Sequence, residues 1–416
     1  MDEILLSELI ARTKESIRPL EHSRSTLYQY ALAWGELTSY FIGKNQALFS
    51  KQLAEQFVFE SKEQLEVGTI KRWRFKLIRR SVRMLIEVYE KDQFIWNCHK
   101  YDPPTYLHQS SYVLLLNDYV NNLKNEGKAF GTIQTYGIVS RQFLEYLELK
   151  NIKDIADVQL VTVSLFIPSI SKQYQPTSMR TVLSALRSFL RFAEKKNLIN
   201  CRLSRAIPGS FGRKTLIIPT ITSEEEQKLL GSVDRNTPSG KRNYAMLLLA
   251  LRTGLRSIDI SSLQLNNIHW KTNTIEIVQE KTDTSLVLPL LTDVGNAIAD
   301  YILNGRPYSQ LPHLFLRTQA PYQKLAGHSG CYSASRKMMK DAGIRQGTDE
   351  CKGFHCLRHS LAARLLSEET PLPVISSILG HRNKDSTKVY LSTDLAHLRA
   401  CALSLQGIEV TQEELL

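Results

Sequence analysis

The chain has 416 residues, 43% of them hydrophobic and 23% charged, which is enough apolar material for two or three cored domains and excludes a mostly disordered or collagen-like polymer. Lys and Arg number 53 against 41 Asp and Glu, a net charge of +12, so a polyanionic partner is expected; nucleic acid fits better than a membrane surface, because no basic amphipathic anchor stands out. No apolar run approaches the roughly 20 residues of a membrane span, and no signal-peptide pattern follows the acidic start at Asp2 and Glu3. A cytoplasmic, nucleoid-associated protein is therefore expected. Its six scattered cysteines, with no Cys-x-x-Cys pair, read as reduced thiols.

In chain order, the first zone (1–101) predicts helices, for example Thr26 to Phe41 and Thr69 to Glu90, where Leu77, Val82, Leu85, Val88 and Tyr89 recur at three-to-four spacing. Asp102-Pro103-Pro104 marks a boundary. The second zone (105–203) predicts helices over Thr132 to Leu149 and Thr177 to Lys196. The two zones share sparse identities. Thr26 and Tyr30 match Thr132 and Tyr136, and Arg83, Glu90 and Lys91 match Arg187, Glu194 and Lys195. A duplicated helical module and chance likeness between amphipathic helix pairs both explain this.

Residues 204–219 read as a linker; Arg213-Lys214-Thr215 lacks the Gly of a nucleotide-binding loop. The third zone (220–394) opens at Thr222-Ser-Glu-Glu225, a capping box. A helix over Tyr244 to Thr253 stops at Gly254. Three β-type runs follow, Ile268 to Trp270, Thr274 to Gln279 and Ser285 to Leu290, the last two flanking a turn at Glu280 to Thr284. Everything after Ser329 reads as helix, punctuated by Pro371 and Pro373; Leu395, Leu398, Ala402 and Leu405 give residues 395–416 an amphipathic pattern.

Four pieces of the third zone belong together: Thr253-Gly-Leu-Arg256 with Asp259; Lys281 in the hairpin turn; His355-Cys-Leu-Arg358-His359; and Leu379-Gly-His381, nine residues before Tyr390. Each alone is ordinary surface, capping or core chemistry. As a set they are what metal-free phosphodiester transfer requires. Two guanidiniums can clamp the nonbridging oxygens with forked hydrogen bonds. A His can donate to the phosphate or move a proton, and a Lys can protonate a departing oxygen. A Tyr hydroxyl can attack once cations or a base favour its phenolate.

This ordered set resembles the active site of the tyrosine recombinases, a family that includes phage and transposon integrases and Xer-type resolvases. The resemblance covers about half the chain. It implies a mainly α fold with a small antiparallel β-sheet in the catalytic domain, within a multi-domain clamp on DNA. Residues 105–203 would be the helical, SAM-like core-binding domain. It further implies that Arg256 and Arg358 bind the scissile phosphate, Lys281 is the general acid, His355 assists proton transfer, His381 hydrogen-bonds the phosphate, and Tyr390 forms a 3′-phosphotyrosine. Asp259 would support the first Arg from behind, and His359 would stand behind the site likewise. The implied partners are double-stranded DNA carrying specific sites, three further copies of the chain in a tetramer, and accessory directionality or bending proteins; no cofactor, metal or membrane is implied. The amphipathic tail, 395–416, would either pack on its own domain or dock on a neighbouring protomer, as such tails commonly do in the family. The helical first zone departs from the usual small β-rich arm-binding domain, so it is expected to contact DNA further out or to mediate assembly.

Competing readings differ in chemistry. Cys351, His355, Cys356 and His359 crowd together, but their spacing fits no usual zinc finger. A carboxylate- and metal-dependent transposase would lose cleavage on chelation. A type IB topoisomerase would share the phosphotyrosine without exchanging partner strands. An Xer-type resolvase role and a DNA-binding protein without catalysis complete the alternatives.

Overall fold

A computed structural model describes residues 4–96, 107, 109–199, 202–209, 218–347, 350–383, 385–393 and 399. The Pro103-Pro104 break, the Arg213–Thr215 stretch, Asp394 and, apart from Arg399, the amphipathic tail lie outside these residues. By contact, residues 1–98 and 215–416 make one unit and residues 99–214 another. The described chain is mainly helical, as expected. No helix among the described residues is long and apolar enough to cross a membrane.

The N-terminal helices are α1 (Leu6–Ile17), α2 (Arg24–Gly43), α3 (Lys51–Glu66) and α4 (Arg72–Lys91). They close over a core of Trp34, Leu37, Phe41, Val82, Leu85 and Val88. The predicted start of α4 at Thr69 falls three residues early. Gly68 takes φ +84, and the Thr69 and Ile70 N–H groups bond back to the Gln64 carbonyl, so this stretch ends α3 and the helix begins at Arg72.

The second unit carries α5 (Ser110–Asn125), α6 (Phe130–Leu149), α7 (Leu160–Ser171) and α8 (Pro176–Lys195). Its core is aromatic: Phe143 lies 5.0 Å from Phe166, and Tyr119 lies edge-on to Phe189 at 5.2 Å.

From Ile218 onward the helices surround one buried rod. The chain runs through α9 (Ser223–Gly231), opened by the expected Thr222–Glu225 capping box, and α10 (Pro238–Thr253). Helix α10 is apolar nearly all round and is buried accordingly, from Ala245 to Leu251. Thr237 caps its first turn and Gly254, at φ +63, ends it. The short α11 (Ser257–Ser262) leads into β1 (Ile268–His269), β2 (Thr274–Gln279) and β3 (Thr284–Pro289). Among the described residues these form one antiparallel sheet in the order β1-β2-β3, with Gln279 opposite Thr284 across the turn. In β2 the inward positions are Ile275, Ile277 and Gln279.

Next come α12 (Thr292–Asn304), α13 (Gly327–Asp341), α14 (Phe354–Ser367), α15 (Leu372–Leu379) and α16 (Asp385–Lys388), then a 3-10 turn, Val389–Thr393, that carries Tyr390. The region after Ser329 is therefore not continuous helix. Gly343 turns the chain at φ +68, and the described residues from there to Gly353 are loop. Helices α10, α14 and α15 meet at their ends, and that meeting point builds the site.

Candidate active site

Two glycines bring the backbone carbonyls of two helix ends together. Gly254 follows α10 and Gly380 follows α15, at φ +63 and +62. A Cβ on Gly254 would lie 2.9 Å from a Leu379 methyl, and one on Gly380 only 2.4 Å from Gln279 Oε1. No other residue type fits these positions without displacing a neighbour. Helix C-termini carry partial negative charge on their unpaired carbonyls, so two such ends form a cradle for cations.

Both arginines occupy that cradle. Arg358, on α14, is only 2% exposed; its Nη1 donates to the Gly254 carbonyl at 2.7 Å and its Nη2 to the Leu379 carbonyl at 2.8 Å. Arg256 begins α11 just beyond Gly254; its Nη1 donates to Gln279 Oε1 at 2.7 Å and its Nη2 to the Gly380 carbonyl at 3.4 Å. Burial, with Arg256 beside it, pushes the Arg358 pKa down to about 10, so it stays charged at neutral pH. Two like charges are held together because the carbonyls offset their repulsion. The spare N–H groups of both guanidiniums remain for an anion.

Gln279 was not singled out by the sequence reading. It is fully buried, donates to the Leu379 carbonyl at 3.3 Å, and accepts from Thr282 as well as Arg256. Its signal was present: an amide at an inward strand position that the alternation reserves for an apolar residue.

Tyr390 is buried against Ala362, Leu366, Ile375 and Leu379. Its phenolic oxygen lies 3.2 Å from His359 Nδ1 and also hydrogen-bonds with Arg358. Burial raises the phenol's pKa, while Arg358 and Arg256 pull it down. His359 is pushed down to about 4 by burial, then by His355, Arg358 and His381. It is therefore neutral at pH 7, and its tautomer sets whether Nδ1 accepts from the phenol or donates to it. The sequence reading set His359 behind the site; the geometry puts it on the phenol itself.

His381 follows Gly380, and its ring lies parallel to that of Tyr390 with centroids 6.3 Å apart. Its Nδ1 pairs with the buried Thr387 hydroxyl at 2.8 Å, a second residue the sequence reading missed. Burial, then Arg358 and Arg256, lower its pKa to about 4.

The remaining predicted residues sit at the margin. His355 is exposed on the first turn of α14, its ring 4.4 Å from that of His359. Lys281 is exposed in the β2–β3 turn. Asp259 is buried on α11; its Oδ1 accepts from the Glu280 N–H at 3.1 Å, and its Oδ2 has no hydrogen-bond partner. Burial raises its pKa despite the pull of Arg256 and Arg358. Its hydrogen bond thus goes to the turn beside Lys281, while its link to Arg256 is through charge.

Residues 219–397 match the phage integrase family, and residues 116–197 match its N-terminal SAM-like domain. Two putative integrase/recombinases of Sinorhizobium fredii are similar: y4gC is 39% identical over 47% of this chain and 100% of its own length, and y4rA is 35% identical over 66% of each. The chain thus spans about two thirds of the length of y4rA. The fold is similar to XerH site-specific recombinase bound to difH substrate (TM-score 0.53, 16% identity, 74% of this chain and 99% of that one). It is also similar to a lambda integrase tetramer bound to a Holliday junction (TM-score 0.50, 18% identity, 74% of this chain and 88% of that one). The chain belongs to the tyrosine recombinase family of phage-type integrases.

Proposed function

We propose that this chain is a site-specific DNA strand transferase of an integrating mobile element, working through a 3′-phosphotyrosine at Tyr390 without metal or ATP. The observation that supports this best is the buried phenol held between His359 Nδ1, 3.2 Å away, and the Arg358 guanidinium.

In this reading the scissile phosphate lies against Arg256 and Arg358, whose carbonyl anchors fix them before DNA arrives. Preorganised donors of this kind contribute about 3–4 kcal/mol each to the transition state. The Tyr390 oxygen attacks phosphorus, and its proton passes to His359. The bond to the 5′ oxygen breaks, and that oxygen takes a proton from Lys281, whose turn is tethered to Asp259 through the Glu280 N–H. His355 at the rim assists proton traffic, and His381, oriented by Thr387, donates to a nonbridging oxygen. The phosphotyrosine conserves the bond energy, so the freed 5′ hydroxyl of a partner strand can reverse the step.

The partner is double-stranded DNA with specific sites, and the working assembly is a tetramer, the state of the lambda integrase complex. The test is a nicked suicide duplex carrying the element ends, incubated in EDTA. Wild type forms a covalent adduct, and Tyr390→Phe binds the duplex but forms none. An adduct with Tyr390→Phe, or loss of cleavage on chelation alone, overturns the reading.

A further inference from the structure

The N-terminal helices repeat the internal details of the second unit. Helices α2 and α6 each have 20 residues, as do α4 and α8. At a shift of 106 positions, Ala33, Trp34, Leu37 and Phe41 fall on Val139, Ser140, Phe143 and Leu147, and all eight are buried. At a shift of 104, Ile78, Val82, Leu85 and Val88 fall on Val182, Leu186, Phe189 and Phe192, again all buried.

Any two amphipathic helices share a 3.6-residue period. They do not by that share the following set. Lys44 Nζ sits 5.6 Å from the Tyr40 ring, which lies 5.1 Å from Phe57; Lys150 Nζ sits 5.8 Å from the Tyr146 ring, which lies 5.2 Å from Phe166. Asn45 and Asn151 then take φ +53 and +57, and the next N–H groups, of Gln46 and Ile152, close onto Phe41 and Leu147 at 3.0 Å each. One cation–aromatic set and one helix stop thus occur twice, at corresponding places.

Charge follows the same register. Residues 72–83 of α4 hold six basic residues and no acid. Lys76 and Arg83 occupy the positions of Arg180 and Arg187 on α8. Arg72, Lys76 and Arg83 are exposed and, at steps of four and seven, share one face over roughly 16 Å of helix. DNA presents a phosphate charge about every 1.7 Å along its axis, so such a stripe meets several.

We propose that residues 6–91 are a second core-binding-like module and that the Arg72–Lys76–Arg83 face of α4 binds the backbone of duplex DNA. The proposal rests on the recombinase reading only for the identity of the polyanion.

The test uses the full chain and a mixed-sequence 60-base-pair duplex. Arg72→Glu/Lys76→Glu/Arg83→Glu is compared with Lys14→Glu/Arg18→Glu/Arg24→Glu, a control with the same change in net charge on exposed positions of the same helical group. The slope of log affinity against log salt should fall in magnitude by about 2–3 for the α4 variant relative to the control, since each phosphate contact contributes roughly 0.9. In parallel, Lys76→Cys carrying a tethered iron–EDTA group should cut the duplex, while Lys14→Cys carrying it should not. Equal slopes for the two folded variants, or no cutting from position 76, overturns the proposal. So does loss of self-association by the α4 variant with its slope unchanged, which would make this face an assembly surface. If the α4 variant does not fold, the cutting result decides. Failure of Tyr390→Phe to abolish adducts would sink the catalytic reading while leaving the slopes as measured.

Discussion

His359 Nδ1 lies 3.2 Å from the phenolic oxygen of Tyr390. The contact joins an imidazole whose pKa is lowered to about 4 to a phenol whose pKa burial raises. At neutral pH both partners are uncharged, and the two shifts hold the proton on the phenol until a phosphate bound by the arginines changes the balance.

Stability should fall as the solution is acidified, because His359 and His381 both have folded pKa values near 4, below the ordinary 6.5. The unfolded chain takes up protons first on acidification. The stability tied to the neutral rings is thus complete above about pH 6.5 and is lost as pH falls through about 4. The melting temperature should drop between pH 7 and 4.5, by roughly 2–4 °C per kcal/mol lost. His359→Gln should flatten that drop, and an unchanged profile in scanning calorimetry would count against the half-buried neutral imidazole.

Arg358→Ala removes the donors to two carbonyls, those of Gly254 and Leu379. The Leu379 carbonyl keeps its bond from Gln279, but leaving the buried Gly254 carbonyl unpaired costs about 1–3 kcal/mol, so urea unfolding should shift to lower denaturant. Single-turnover cleavage should slow by at least roughly 10²–10³-fold. Arg358→Lys should restore little, because one ammonium cannot span both carbonyls. Cleavage by the Lys variant near the wild-type rate would argue against the forked anchor.

Gly380→Ala places a methyl on the Gln279 amide, 2.4 Å from its oxygen. The amide must move, and Arg256 then loses its 2.7 Å partner. The variant should cleave at least about tenfold more slowly, as Gln279→Ala should. Combining the two should add little, since they break one contact. Fully additive losses would separate the glycine from the arginine.

Lys281→Ala should slow cleavage by about 10²-fold or more if the lysine protonates the leaving 5′ oxygen. A duplex with sulfur at that bridging position should restore the rate, because a thiolate departs without a proton. No rescue by the sulfur substrate would assign Lys281 a role in binding instead.

Much of this was legible in the sequence because it rests on local rules. The Thr222–Glu225 box, the Gly254 stop and the alternating hairpin strands each follow from a few neighbouring residues, and the structure places them where the pattern does. The ordered string from Arg256 to Tyr390 was visible as chemistry for the same reason: residue types and intervals carry it. What the sequence left open depends on contacts between positions far apart. Gln279 meets Arg256 and Leu379 only because β2 and the end of α15 converge. His355 and His359, four apart, share one face of α14, so which of them touches Tyr390 depends on which turn of that helix the 3-10 turn packs against, and helical spacing does not decide that. Local propensity determined the elements and the list of reactive groups. Packing of three helix ends around two glycines decided which groups meet, because a carbonyl cradle for two like charges exists only when the chain has folded.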